Sequence, residues 1–215
     1  MSMKAIFKFM PVAAALALAT SAYAAETEAP VWKAVSASDN TTYAIKADGT
    51  LWGWGSNELG ELGQGSTDAK LSAIPLQMGT DSNWKAVYGA RGCGFFLKED
   101  GSLWTVGSNE KGMSGVGDGI TKHTTLTQVG TDKDWASVAT SVTWCYTVLA
   151  IKTDGTLWAW GSGEDFSLGQ GNVNNSAIPI QVGTDNDWKE VSIGAGHVLA
   201  LKNDGSLWGW GYAPY

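Results

Sequence analysis

The 215-residue chain carries 14 Lys and Arg against 21 Asp and Glu, a formal net charge of −7 at pH 7, with 2 Cys and 2 His. That balance excludes a nucleic-acid binder, which needs a basic footprint, and a polybasic contact with anionic lipid. Charged residues are 16% of the chain while Gly numbers 28 and Trp 12, a composition of tight turns and bulky β pairs rather than of helices.

The chain opens on a pattern of export. Lys4 and Lys8 precede an apolar run from Pro11 to about Ala19, and Ala22-Tyr23-Ala24 supplies the small-x-small site that a signal peptidase cuts after. Residues 1–24 therefore read as a signal peptide of bacterial layout, with the mature chain bound for the periplasm or the medium. The run is too short to span a bilayer of roughly 30 Å, so no membrane contact is expected of the mature form. Loss of the two lysines, with no acid in the leader, moves the net charge from −7 to −9. Residues 25–31 form a short acidic linker holding Glu26 and Glu28.

From Trp32 onward the sequence repeats. Trp32, Trp84, Trp135 and Trp188 open copies spanning 32–83, 84–134, 135–187 and, in part, 188–215, about three and a half repeats. Each copy contains an Asp-Gly pair between alternating apolar residues: Asp48-Gly49, Asp100-Gly101, Asp154-Gly155 and Asp204-Gly205. Such pairs predict two-residue type I′ hairpins. In that register Ala47 faces Thr50, Ile45 faces Trp52 and Tyr43 faces Trp54, with Leu97, Ile151 and Leu201 opposite Trp104, Trp158 and Trp208. Lys46, Lys98, Lys152 and Lys202 then fall on the other face. A Trp-Lys-type run at the start of each copy and the "IPLQMG", "TLTQVG" and "IPIQVG" runs near its end complete four strands per repeat. The Gly-rich stretches Asn57 to Lys70 and Asn109 to Thr124 are predicted loops. Four short strands in a period of roughly 50 residues predict an all-β propeller of four-stranded blades.

"GAGHVLALKNDGSLWGWG" and "LWGWGSNELGELGQG" resemble the repeat of the regulator of chromosome condensation (RCC1) family, from about Trp32 to Gly211. The resemblance implies a propeller, of seven blades in that family, here present in part. The family's His position is kept only at His197 and is Thr41, Cys93 and Thr147 in the other copies. Three and a half repeats taken twice make seven, so a homodimer closing a seven-repeat ring stands beside a truncated fragment of a larger surface protein. What family members do differs widely: nucleotide exchange on a GTPase, light sensing and, among secreted bacterial members, inhibition of β-lactamase by a propeller face. Fold does not select among these.

Residues able to do chemistry are few. His123 and His197 lie outside any zinc-binding or nucleophile-elbow pattern, and His197 has the parity of Leu199 and Leu201, which predicts burial. No catalytic residue, cofactor site or metal site is assigned. Asp81, Asp132 and Asp185, each two residues before Asn83, Asp134 and Asp187, read as solvated turns in preference to calcium ligands, since the calcium-loop pattern is incomplete. Cys93 and Cys145 occupy equivalent positions of neighbouring copies and stand either as a disulfide or as two buried thiols. Most tryptophans repeat with the hairpin and belong to packing. Trp144, unique to an insertion in the third copy, is a candidate contact, with Asn57, Glu58, Asn109 and Glu110 in the loops. The expected function is an exported, non-catalytic protein-binding module for an unidentified protein partner. An inhibitor of a secreted enzyme is the alternative in the same class. An enzyme acting on cell wall or polysaccharide is the other, and it lacks an acid-base pair.

Overall fold

The computed structural model describes residues 30–141 and 146–212. The leader, most of the linker, Trp144 and Cys145 lie outside the described residues. Four antiparallel sheets follow one another in the sequence, each a meander. The first blade is β1 (Trp32–Ala37), β2 (Thr41–Lys46), β3 (Leu51–Ser56) and β4 (Leu71–Gln77). The second is β5 (Trp84–Ala90), β6 (Cys93–Lys98), β7 (Leu103–Ser108) and β8 (Lys122–Gln128). The third is β9 (Trp135–Thr140), β10 (Thr147–Lys152), β11 (Leu157–Gly161) and β12 (Ser176–Gln181). The fourth has three strands, β13 (Trp188–Ile193), β14 (His197–Lys202) and β15 (Leu207–Gly211). The partial repeat thus builds a blade, and the described residues hold four sheets.

The hairpin register differs from the expected one by a single residue. Ile45 pairs with Leu51, Ala44 with Trp52 and Thr42 with Trp54, and the other three copies match. The loop is three residues long: Gly49 N–H donates to Lys46 O at 2.9 Å, Lys46 N–H donates to Thr50 O at 3.0 Å, and Gly49 alone is left-handed at φ 83°. This is a type I turn closed by a glycine bulge, not the type I′ turn, which needs positive φ at both central residues. The reason lies in the Asp. Asp48 Oδ1 accepts the Thr50 N–H at 3.0 Å and the Thr50 hydroxyl at 2.6 Å, and Thr50 Oγ1 accepts the Trp52 indole N–H at 2.8 Å. The same relay recurs from Asp100, Asp154 and Asp204.

A one-residue slip exchanges the two faces of a strand. Lys46, Lys98, Lys152 and Lys202 therefore share the face of the tryptophans rather than opposing it. Lys98 Nζ lies 4.8 Å from the Trp84 ring and 4.1 Å from that of Trp104, and Lys152 and Lys202 sit likewise between Trp135 and Trp158 and between Trp188 and Trp208. The junction aspartates, expected as solvated turns, close these sandwiches. Lys98 pairs with Asp81 at 2.7 Å, Lys152 with Asp132 at 2.6 Å and Asp134 at 3.1 Å, and Lys202 with Asp185 at 2.6 Å and Asp187 at 3.0 Å. Burial works against the charge of Lys152, but Asp132 and Asp134 outweigh it and its pKa is raised. Hydrogen bonds to Asp185 and Asp187 raise that of Lys202. A cation held over a desolvated ring contributes about 2 kcal/mol or more.

Blades pack face to face through one recurring contact. Toward the next blade, blade 3 presents Leu149, Ile151, Leu157 and Ala159, all buried beneath Trp188, Val191, Ala200 and Trp210 of blade 4. Blade 2 presents Phe95, Leu97 and Leu103 to Trp135, Val138, Ala150 and Trp160. Blade 1 presents Tyr43, Ile45 and Leu51 to Trp84, Val87, Phe96 and Val106. The hairpin tips seal each junction, since the Trp84, Trp135 and Trp188 N–H groups donate to Gly49 O, Gly101 O and Gly155 O at 3.1–3.2 Å. Only glycine fits there: a Cβ on Gly155 would lie 2.0 Å from Asn186 O. His197 keeps the expected parity but is exposed, because the forward face of blade 4 meets no further blade among the described residues.

Candidate functional site

The loops joining the third and fourth strands of blades 1 to 3 run from Asn57, Asn109 and Gly163. Of the loop candidates, Asn57 and Asn109 are 2% and 9% exposed and cannot be contacts. Each ties its loop together instead. Asn57 Nδ2 donates to Ser66 O at 3.0 Å and Ala69 O at 2.9 Å while its Oδ1 accepts the Leu62 N–H at 3.1 Å. Asn109 Nδ2 donates to Ile120 O, and its Oδ1 accepts the Ser114 N–H at 3.0 Å. In blade 3, Gly163 stands at this position and its N–H donates to Asn175 Oδ1 at 3.0 Å. An amide side chain can brace both arms of a loop because it donates and accepts at once.

Glu58 and Glu110 are exposed, and Glu164 occupies the same place on blade 3. The backbone N–H groups of all three donate to Ser56, Ser108 and Ser162 Oγ at 3.3–3.5 Å, so three carboxylates are carried at one level by three successive blades. Glu164 pairs with Lys111 of the preceding loop, and hydrogen bonding to that carboxylate raises the Lys111 pKa. Beside Glu164 a cleft opens between blades 3 and 4, lined by Ser141, Tyr146, Thr147, Ser162, Asp165 and Ser167 among others. Thr147 Oγ1 donates to Ser162 O at 2.9 Å on its floor. The face is acidic and hydroxyl-rich, built to accept hydrogen bonds and positive charge.

The remaining chemistry is buried. His123 is 5% exposed, with Nε2 3.3 Å from Ser114 Oγ and Nδ1 3.5 Å from Thr127 Oγ1, which braces the second loop against β8. The Ser114 hydroxyl is itself enclosed and offers no nucleophile to solvent. Among the described residues no three His, Cys, Asp or Glu side chains gather in a group able to hold a metal ion. Cys93 is buried and disulfide-bonded; Cys145, like Trp144, lies outside the described residues. The sequence marked Glu58 and Glu110 through their loops and missed Glu164 and the cleft. Aligning the three Ser-x-Glu triplets, Ser56 to Glu58, Ser108 to Glu110 and Ser162 to Glu164, would have found the third carboxylate.

Comparison with known proteins agrees with this architecture. A family model described as the regulator of chromosome condensation (RCC1) repeat matches residues 48–97 and 154–201, and a second of the same description matches 32–61. The ultraviolet-B receptor UVR8 of Arabidopsis thaliana is 29% identical over 168 residues, covering 76% of this chain and 37% of the receptor. The human regulator of chromosome condensation is 26% identical over 145 residues, covering 66% of this chain and 33% of the regulator. The chain thus spans little more than a third of the length of these relatives. Among solved structures, human WBSCR16 superposes with a TM-score of 0.74 at 20% identity, covering 84% of this chain and 47% of that one. Yeast RCC1 (Prp20) bound to Kap60 gives 0.73 at 19% identity, covering 86% of this chain and 44% of that one. The matched repeats, the four-stranded antiparallel blades and the propeller neighbours together show that this chain belongs to the RCC1 repeat family, as part of a β-propeller.

Proposed function

We propose that the chain is an exported, non-catalytic protein-binding module that presents the loop face of Glu58, Glu110 and Glu164, with the neighbouring cleft, to a partner carrying a basic surface. The observation that carries this reading is the bracing of two exposed carboxylates by buried amides: Asn57 and Asn109 hold the loops of Glu58 and Glu110, while Glu164 shares its charge with Lys111. Preorganised surface charge raises association rates and selects partners more than it adds raw affinity. A protein-binding role is in keeping with Prp20, whose structures describe it bound to Kap60 and binding Gsp1p and histones. Export rests on Lys4, Lys8 and the Ala22-Tyr23-Ala24 site, and inhibition of a secreted enzyme would be one use of such a face.

The test is affinity capture from the envelope of the source organism with the chain and with its Glu58→Lys, Glu110→Lys, Glu164→Lys triple variant. One stoichiometric protein held by the first and lost by the second, more weakly bound as salt rises, is the expected result. Equal capture by both would sink the loop-face reading. N-terminal sequencing of the exported protein, expected to start at Ala25, checks the processing site.

A further inference from the structure

The loops of blades 1 to 3 differ where each leans on the blade that follows. Counted from the serines that hold the three glutamate N–H groups, Leu59, Lys111 and Asp165 take one position and Glu61, Met113 and Ser167 another. In blade 1 both places are filled. Leu59 lies across the turn between β5 and β6, so close that a Cβ on Gly92 would meet its Cδ1 at 2.7 Å. Glu61 is buried beneath it, with Oε2 accepting the Leu59 N–H at 2.8 Å and Oε1 the Ser56 hydroxyl at 3.2 Å. In blade 2, Lys111 reaches across to Glu164, and Met113 is buried among the residues packed between blades 2 and 3. In blade 3 the same two places hold an acid and a small hydroxyl, and here the cleft between blades 3 and 4 opens.

The chemistry of this cleft is one-sided. Thr147 and Ser167, 7% and 4% exposed, both donate their hydroxyl hydrogens to Ser162 O at 2.9 Å, so what they present to the cleft is oxygen lone pairs. Gly196 occupies the place of Gly92, its carbonyl accepting the Tyr212 N–H at 2.7 Å as that of Gly92 accepts the Ser108 N–H at 2.8 Å. Where Leu59 covers Gly92, Asp165 stands beside Gly196, its Oδ2 3.3 Å from the site of a Cβ on that glycine. Glu164 is paired with Lys111, whereas among the described residues no ion pair or hydrogen bond engages the Asp165 carboxylate. An anion would meet a like charge here, and an apolar side chain would leave the buried oxygens without water. A group with one positive charge and several N–H donors suits the carboxylate and the hydroxyl oxygens together. The planar guanidinium meets that description with five donors in a fixed fork, while an ammonium is a compact point charge held more tightly by water.

We propose that the cleft between blades 3 and 4 receives an arginine side chain of the protein partner, its guanidinium bound by Asp165 and by the hydroxyl oxygens of Thr147 and Ser167. The proposal rests on the loop-face reading for the existence of a protein partner, and adds to it a pocket that selects arginine over lysine. Asp165 supplies the charge. Ser167 supplies the room, because Glu61 or Met113 fills the same place in blades 1 and 2.

N-acetyl-arginine amide titrated into the full chain should move the backbone amide NMR signals of Ser167, Gly194 and Gly196, with a Kd of about a millimolar or weaker for so small a probe. The citrulline analogue, which has nearly the same shape without the charge, should leave those signals in place, and the lysine analogue should bind severalfold more weakly. Asp165→Asn, a residue that tolerates the left-handed φ of 57° at this exposed position and is expected to melt like the parent, should weaken the arginine probe about tenfold or more. Ser167→Met, which installs the side chain of blade 2, should abolish binding. An equal response to the citrulline or lysine analogue, arginine binding unchanged in Asp165→Asn, or no shift at the cleft with arginine would each overturn the proposal. The loop-face reading fails separately: equal capture by the parent and the triple lysine variant sinks it even where the probe enters the cleft, and loss of capture in that variant supports it even where the probe does not bind.

Discussion

Leu149, Ile151 and Leu157 of blade 3 are closed over by Trp188, Val191 and Ala200, whereas Leu199 and Leu207 of blade 4, at the same strand positions, face outward. The two regions have nearly the same residues, the same hairpin turn and the same Lys clamp. What separates them is only whether a neighbour is present. The alternation of apolar side chains decides which face of a blade can pack, and the stabilisation comes from the blade that covers it.

The sharpest way to break this comparison is to truncate one leucine in each blade. Leu157→Ala should cost about 2–5 kcal/mol in urea unfolding, and Leu207→Ala should stay within about 0.5 kcal/mol. Similar costs would mean that the blade 4 face is covered in solution. A somewhat smaller contrast is expected at the turns. Gly155 and Gly205 share left-handed φ values of 82° and 88°, but a Cβ on Gly155 meets Asn186 O at 2.0 Å while one on Gly205 meets nothing within 4 Å. Gly205→Ala should cost only the backbone strain, about 1–2 kcal/mol, and Gly155→Ala about 3 kcal/mol or more, because the next blade must also move. Thermal melts of both variants decide it.

The smallest effect should not distinguish the blades at all. The Thr156 N–H and hydroxyl hold the Asp154 carboxyl below its ordinary pKa, and Ser206 does the same for Asp204. The unfolded chain binds these protons more readily than the folded one. The stability they carry is therefore present above about pH 4 and is lost as pH falls through the depressed native values. Asp154→Asn and Asp204→Asn should each reduce the acid-induced drop in Tm, and by similar amounts. An unequal reduction would show that the two turns differ despite their matching geometry.

Much of the fold was legible in the sequence. The Trp spacing located all four sheets, and the Asp-Gly pairs located every central hairpin. The register was missed because Asp-Gly was read without the Ser or Thr that follows. That hydroxyl binds the Asp carboxylate, holds Asp in ordinary backbone and leaves glycine alone to take positive φ. One misplaced residue then sent four lysines to the wrong face, away from the tryptophans that hold them. The aspartates of the repeat junctions are half exposed, in keeping with solvated turns, but their pairing with lysines 17 or 20 residues further along was not legible, because only the folded hairpin brings it about. The loop asparagines were taken for contacts because exposure was read from polarity, whereas a residue that braces a loop has to be inside it.

The bonds from each hairpin tip to the first tryptophan of the next blade give the row a direction. Gly49 O receives Trp84, Gly101 O receives Trp135 and Gly155 O receives Trp188, so at the hairpin tips each blade supplies the seat for its successor. The same order holds as the chain leaves the ribosome or a translocon. Blade 1 is complete before blade 2 emerges, and each new Trp arrives at a carbonyl already in place. Contacts between neighbours alone keep the search local at every step, so the repeat can be read as a schedule for assembly in which each blade is laid on the one before it.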